Sequence, residues 1–328
     1  SARQAIIVDF RTGAVLYEKN ADERMAPSSM SKIMTGYLVF KAIKDGRMSL
    51  TDTLPVSQRA WRMGGSKMFV ALGSRVKVED LLRSMIVQSG NDACIVLAEG
   101  LAGSEEAFAE QMNEEGKRLG LTNSNFRNAS GWPDPEHYMS ARDLATLART
   151  LITDHPEFYK LYSELTFTYG TDAKGSPIQQ GNRNPLLYKS IGADGIKTGH
   201  TETAGYGLTA SATREGRRVI VVVNGMASAR ARAEESERLV DWAFREYGNF
   251  TIFKAGQSVE KAEVWMGDKP FISLVAAQDL TVTLPRRLRQ QMKVTAVYDS
   301  PVPAPVAKGA PIGKVVIAAP GVEIVELQ

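Results

Sequence analysis

Two side chains that could act as nucleophile and base stand three residues apart near the start of the chain, in Ser29-Met30-Ser31-Lys32. On a helix an i, i+3 pair shares one face about a turn apart, which brings a hydroxyl within reach of an amine. The amine is a base only when neutral. The positive end of a helix dipole and partial burial both disfavour the ammonium form, so a helix beginning at Ser28 or Ser29 would lower the Lys32 pKa and let Lys32 take the Ser29 proton. Two further triplets, Ser89-Gly90-Asn91 and Lys197-Thr198-Gly199, each carry usable chemistry. In the first, the hydroxyl can relay a proton towards a leaving group while the Asn91 amide holds Lys32 and a substrate backbone. In the second, Lys197 and Thr198 suit a carboxylate, and Gly199, without Cβ, lets a substrate backbone lie close against a strand.

Taken singly, each has an ordinary explanation. Ser29 could be a cap followed by a solvated lysine, Ser89 to Asn91 an interhelical turn built from favoured turn residues, and Lys197 a surface lysine before a turn. The SxxK spacing also recurs at residues 74–77 and 258–261, in strand-like or turn-like surroundings. The constellation is what separates the set from coincidence: SxxK, SxN and KTG follow in order, each on the element type its chemistry needs.

Those elements come from periodicity. Residues 4–8 and 14–17 are β-rich runs around a turn, predicting an opening hairpin. After Pro27, Met30, Ile33, Met34, Tyr37 and Leu38 have the spacing of one buried helix face, with Ser28 expected as N-cap. Further helices are predicted at 78–87, 92–101, 105–118 and 141–152, the last two capped by Ser104 and Ser140. Strands follow at 195–198, 205–212 and 217–224, then a helix over 233–247. Beyond about residue 248, short alternating runs at 280–284, 294–298 and 314–317 surround a proline-rich segment. The expected fold is α/β: an antiparallel sheet flanked by helices with a helical insertion over residues 1–248, plus a small all-β C-terminal domain over 249–328.

Composition narrows the partners. At 328 residues and 43% hydrophobic content the chain can fill one large core and a smaller one. With 40 Lys+Arg against 37 Asp+Glu the net charge of +3 gives no nucleic-acid footprint. No run approaches the roughly 18 apolar residues that span a bilayer, and residues 1–4 lack a leader pattern. The single Cys94 excludes an internal disulfide and, in an apolar helical run, is expected to be an inert core thiol. Three histidines, at 137, 155 and 200, offer no metal-ligand cluster, so neither metal nor cofactor is expected.

With these motifs in place the chain resembles the low-molecular-weight penicillin-binding proteins of the D-alanyl-D-alanine carboxypeptidase family, whose superfamily carries the SxxK, SxN and KTG set. The similarity extends to residues 81–98 (LLRSMIVQSGNDACIVLA), 182–184, 194–201 (DGIKTGHT) and 232–236, and the β-rich tail resembles the family's second domain. The resemblance implies the penicillin-binding/β-lactamase-like transpeptidase fold. It implies removal of the terminal D-alanine of peptidoglycan stem pentapeptides through an acyl-enzyme on Ser29, and covalent inhibition by β-lactam antibiotics. By it, the backbone N–H groups of Ser29 and His200 form the oxyanion hole, and Arg183, Thr198 and Arg232 receive the substrate's free carboxylate, with Arg230 as the alternative to Arg232. It further implies export to a bacterial periplasm or outer surface with a leader removed. Many members end in an amphipathic helix that gives peripheral membrane association; this chain reaches Gln328 without one.

Three rivals are weighed against this. A class A β-lactamase should carry a deacylating glutamate in an ExxLN-like loop, which the sequence lacks, and SDN in place of SGN. A DD-endopeptidase of the same superfamily would share every motif. An inert binding module is disfavoured because each polar group of the mechanism is present.

Overall fold

The turn chemistry at residues 9–13 does close a hairpin: β1 (Gln4–Asp9) and β2 (Val15–Lys19) pair antiparallel in the computed structural model, which describes residues 1–328. The chain then leaves the sheet. It runs through α1 (Lys32–Lys44), β3 (Thr53–Pro55), α2 (Gln58–Arg62), β4 (Arg75–Lys77), α3 (Val78–Arg83), α4 (Asn91–Ala102), α5 (Glu105–Arg118), α6 (Ala141–Asp154), α7 (Pro156–Tyr159) and a hairpin of β5 (Thr166–Thr171) and β6 (Pro177–Gly181). It returns with β7 (Ala193–Thr201), β8 (Gly205–Arg214) and β9 (Arg217–Met226), completing an antiparallel sheet of order β2-β1-β9-β8-β7. The helical insertion is therefore real.

β9 lies mid-sheet because Val219 to Val223 are apolar on both faces, and all five are buried. Register is fixed by pairs such as Ile7 with Val221 and Ala210 with Val221. β7, which carries Lys197 to Gly199, has a partner on one side only and is the sheet edge.

α1 is the axis of the insertion. Ile33, Met34, Tyr37, Leu38, Val39, Phe40 and Ala42 point in every direction around it and all are buried, as a helix enclosed by others requires. It packs against α4, α5 and α6. At about 1.5–3 kcal/mol for each large apolar side chain removed from water, this helix gives the residues at its start a firm support.

Two local expectations are met, one is corrected and one is refined. Ser104 and Ser140 cap α5 and α6, accepting from Ala107 N at 3.1 Å and Asp143 N at 3.0 Å. Ser28 is no cap. Residues Ser28–Ser31 make a tight single 3₁₀ turn, Ser28 takes the left-handed φ of 53°, and its buried Oγ has no hydrogen-bond partner. The helix predicted over 78–87 is present, α-helical to Arg83 and continuing as a wider π-helix over Ser84–Gln88, closed by Ser89 N donating to Ser84 O.

The contacts divide the chain into two units, Ser1–Asp241 and Trp242–Gln328, with the boundary inside α8 (Ala229–Glu246). The second unit is all β apart from the end of α8 and a short 3₁₀ segment at Arg286–Gln291. β10 (Tyr247–Phe253) pairs with β13 (Leu280–Pro285); β12 (Phe271–Val275), β11 (Ser258–Trp265) and β15 (Val302–Pro303) form one small sheet, and β14 (Lys293–Tyr298), β16 (Gly313–Ala319) and β17 (Val322–Leu327) another. Its core is Ala276, Leu280, Val282, Leu284, Val315 and Ile317. No helix of the chain is long and apolar enough to cross a membrane.

Candidate active site

The 3₁₀ turn presents Ser29 at the mouth of a cleft, and Lys32 opens α1 directly behind it. Lys32 is 1% exposed, and its Nζ donates to Ser29 Oγ at 2.7 Å, Ser89 Oγ at 2.9 Å and Asn91 Oδ1 at 2.7 Å. Each partner is aimed by its own backbone. Ser89 follows the π-type turn at a left-handed φ of 64°. Asn91 starts α4, and its Nδ2 donates to Gly64 O at 3.0 Å, which turns Oδ1 towards the lysine.

Three partners match the three protons of an ammonium group. Removing one proton leaves a lone pair that one hydroxyl must fill, and Asn91 Oδ1, acceptor only, cannot. Burial pushes the Lys32 pKa down to about 8, helped by the Arg183 guanidinium and opposed by Cys94 and Asp92. The base form is therefore within reach of neutral pH.

β7 forms the facing wall. Thr198, Gly199 and His200 line the cleft, whereas Lys197 is buried behind them with its Nζ donating to Thr198 O at 3.1 Å. Burial first, then repulsion from Lys32 and Arg183, holds Lys197 well below the usual lysine range. Gly199 has a reason other than the one the sequence suggested: a Cβ there would lie 2.8 Å from Pro27 O and 3.1 Å from Ser28 Cβ, so its bareness lets β7 pack on the Ser28–Ser31 turn.

Arg183 and Arg232 complete the cationic end. Arg183 Nη1 donates to Ser66 Oγ at 2.7 Å. Arg232 has one long bond, Nη1 to Gly207 O at 3.4 Å, and its buried Nε has no partner. Arg230 faces solvent, 87% exposed and ion-paired with Glu234, so Arg232 is the one at the cleft. Neither cleft arginine is paired with a carboxylate, and no Asp or Glu lines the cleft of about 500 Å³. The nearby Asp92 is occupied by Met68 N and Val70 N at 3.0 and 3.1 Å. Cys94 is buried with its thiol pushed up to about 12, as an inert core cysteine should be.

Of the expected residues, the structure brings Ser29, Ser89, Asn91, Thr198, Gly199, His200, Arg183 and Arg232 to one cleft, with Lys32 and Lys197 beneath its surface. Tyr206, Ser66 and Trp132 line it unannounced. Tyr206 was recoverable, since the β7–β8 hairpin pairs it with His200; the two rings stack at 3.9 Å and the Arg232 guanidinium lies 5.4 Å from the tyrosine ring. Trp132, half exposed between Gly131 and Pro133, carried only the weak signal of an aromatic residue in a turn. Ser66 carried none.

Comparison with known proteins decides the family. Residues 1–228 match the profile described as D-alanyl-D-alanine carboxypeptidase. The chain belongs to the D-alanyl-D-alanine carboxypeptidase family. Residues 247–327 match the C-terminal domain of penicillin-binding protein 5. Among the family's curated members, D-alanyl-D-alanine carboxypeptidase DacC of Escherichia coli is 42% identical over 96% of this chain and 79% of its own length. The crystal structure of penicillin-binding protein 5 from Haemophilus influenzae superposes with a TM-score of 0.90 at 40% identity, over 100% of this chain and 96% of that one. Penicillin-binding protein D2 of Listeria monocytogenes, solved in an ampicillin-bound form, matches 74% of this chain and 97% of its own at 32% identity and a TM-score of 0.66. Within this family the chain is a serine-type carboxypeptidase and a penicillin-binding protein, and both the function and the fold class expected from its motifs hold.

Proposed function

We propose that this enzyme removes the terminal D-alanine of peptidoglycan stem pentapeptides through an acyl-enzyme on Ser29, with Lys32 as base. The observation that carries the assignment is the Lys32 amine, buried, shifted towards neutrality and 2.7 Å from Ser29 Oγ. In the first step the neutral amine takes the Ser29 proton as Oγ attacks the carbonyl of the penultimate D-alanine. Charge collects on that oxygen, where the N–H groups of Ser29 and His200 serve as oxyanion hole. The proton passes from Lys32 through Ser89, 2.9 Å away, to the departing amine, and free D-alanine leaves. Water then attacks the ester, giving its proton back along the same pair, and Ser29 is restored.

Arg183, Arg232 and Thr198 take the terminal carboxylate of the substrate. Two guanidinium groups without carboxylate partners at one end of the cleft support that role. Lys197 contributes its field from behind the wall, and Gly199 sets the spacing of strand and turn. β-Lactams enter the same cleft and acylate Ser29, a reading supported by the ampicillin-bound relative. The catalytic part spans residues 1–248 and the β-rich part residues 249–328, and the enzyme works in the periplasm or at the outer surface of a bacterial cell.

Product analysis on a stem pentapeptide and on a crosslinked muropeptide, side by side, tests the assignment. Release of one D-alanine from the pentapeptide alone is expected. Cleavage of the crosslink in preference to the pentapeptide would replace carboxypeptidase by endopeptidase.

A further inference from the structure

The nucleophile turn has a support that the reaction itself does not use. Ser28 stands at a left-handed φ of 53°, a conformation that a residue with a side chain holds only when its surroundings impose it. Its carbonyl accepts from Ser31 Oγ at 3.2 Å, and Ser31 Oγ is in turn 3.0 Å from His137 Nε2. The direction of this chain is determined. Arg127 N donates to His137 Nδ1 at 3.0 Å, so Nδ1 is the acceptor nitrogen and the ring proton sits on Nε2. His137 therefore donates to Ser31, and Ser31 donates to the Ser28 carbonyl.

Every member is enclosed, with His137 4% and Ser31 0% exposed. The segment carrying His137 is itself pinned. Met25 and Met139 exchange backbone bonds at 2.8 and 3.0 Å, as do Asn125 and Tyr138, and Phe126 meets the imidazole edge-on at 5.8 Å. Gly131, from the same segment, lies against the Ser28 carbonyl so closely that a Cβ there would collide with it. Burial pushes His137 down to about 4, with Asp134 opposing, which agrees with a neutral ring.

We propose that His137 is a positioning residue: acting through Ser31, it anchors the Ser28 carbonyl and so holds the turn that presents Ser29 to Lys32. The proposal rests on Ser29 being the acylated residue. Without the anchor the carbonyl is free to rotate, Ser28 relaxes towards an ordinary φ, and the 2.7 Å contact between Ser29 Oγ and Lys32 Nζ is made only part of the time. Substrate contacts are untouched, since neither Ser31 nor His137 lines the cleft.

The test compares Ser31→Ala, His137→Phe, the double variant and His137→Gln with the wild type. Penicillin acylation is resolved into its pre-acylation Kd and its acylation rate constant, with melting temperature followed in parallel and the wild-type adduct mapped by mass spectrometry. Ser31→Ala and His137→Phe should each lower the rate constant about tenfold while leaving Kd in place. The double variant should be no slower than the slower single one, because both changes break one chain. Gln at 137 offers an amide N–H near the former Nε2 and should restore most of the rate. Ser31→Ala removes only one oxygen from a packed site, so it reports even if His137→Phe does not fold. Unchanged rate constants in both single variants, losses that add in the double, or a change confined to Kd would each overturn the proposal. An adduct on a residue other than Ser29 in the wild type would remove the reading of the nucleophile itself, and the proposal with it.

Discussion

Replacing Asn91 by aspartate asks directly whether Lys32 is the base. The fall of the lysine pKa from 10.5 to about 8 corresponds to about 3 kcal/mol. It raises the neutral fraction at pH 7 from about one in 3,000 to about one in ten, worth about 300-fold in the rate of a step that needs the free amine. Acylation of the wild type by penicillin should therefore rise about tenfold per pH unit up to about 8 and then level off. Asn91 Oδ1 is 2.7 Å from Lys32 Nζ. A carboxylate at that distance stabilises the ammonium by at most about 6 kcal/mol at an effective dielectric constant of 20. Relaxation and water will cut this sharply, but the break should still move up by at least about one pH unit, lowering acylation at pH 7 by about tenfold or more. Above the new break the rate should approach the wild-type plateau. A stopped-flow series with a chromogenic β-lactam from pH 6 to 10 reads both profiles. A break that stays put, or a loss equal at every pH, would show that the titrating group is not the lysine that Asn91 touches. Lys197 is also depressed, but it bonds to Thr198 O and not to Asn91, so only a Lys32 break should respond. The shift also predicts stability. With the folded pKa below the unfolded one, the unfolded chain binds more protons between about 8 and 10.5, so the Lys32 contribution to stability should rise with pH across that window and be flat below it.

Ser29→Ala should abolish the penicilloyl adduct and leave the melting temperature within about 2 °C, as checked by intact mass and calorimetry, whereas Ser28→Ala should keep the adduct. Arg232→Ala should lower kcat/KM on an acyl-D-Ala-D-Ala peptide by about 10- to 100-fold, the worth of a charged hydrogen bond, with Arg230→Ala unchanged; equal effects of the two would refute the carboxylate site. Penicilloyl-enzyme should persist far longer than a turnover of about 0.1 s, since no carboxylate lines the cleft to activate water, and rapid release measured by loss of bound label would refute this. A chain ending at Gly248 should fold and still form the adduct, because the lining residues all precede it; a folded truncate that cannot be acylated would refute that division of labour.

What the sequence made legible was whatever depended on local pattern. The capping serines 104 and 140, one buried face of α1 and the strand over 217–224 follow from spacing alone, whereas the burial of α1 on every side and the central place of that strand do not. The motifs named Ser29, Ser89, Asn91, Thr198 and Gly199 of the cleft before any geometry was known, and the family resemblance added Arg183, His200 and Arg232. What stayed hidden was set by tertiary contacts. Ser28 has the composition of a cap, yet the packing of Gly131, Ser31 and Gly199 around it holds it left-handed, and local propensity gives no hint of that. The change from α to π winding at Ser84 was equally silent, because the apolar run Met85 to Val87 simply continues that of α3, whereas the wider winding brings Ser89 to Lys32. Ser66 reaches Arg183 from 117 residues away, a separation no periodicity spans.

The electrostatics of the cleft tie these pieces together. Lys32, Lys197, Arg183 and Arg232 converge on one region, and none of the four forms an ion pair with a protein carboxylate. Asp92, the acid near enough to be felt by Lys32, is taken up by backbone N–H groups of Met68 and Val70. Such a cluster opposes folding, and a protein selected only for stability would neutralise it with a carboxylate. In the proposed mechanism neutralisation would defeat the chemistry, because a carboxylate beside Lys32 would return it to the ammonium form, and one beside Arg232 would compete with the substrate. Burial first, with the Arg183 guanidinium adding repulsion, holds both lysines below their ordinary range, and the absence of a paired carboxylate leaves Lys32 free to act as the proposed base. In that proposal a substrate bringing its own carboxylate to the arginine end relieves the repulsion where it binds. On that reading its charge lies on the arginines and not on Lys32 Nζ, which is bonded to Ser29, Ser89 and Asn91, so the amine stays available for the proton it would take. Separating the two ends of one cationic cleft in this way lets carboxylate recognition and a neutral amine coexist.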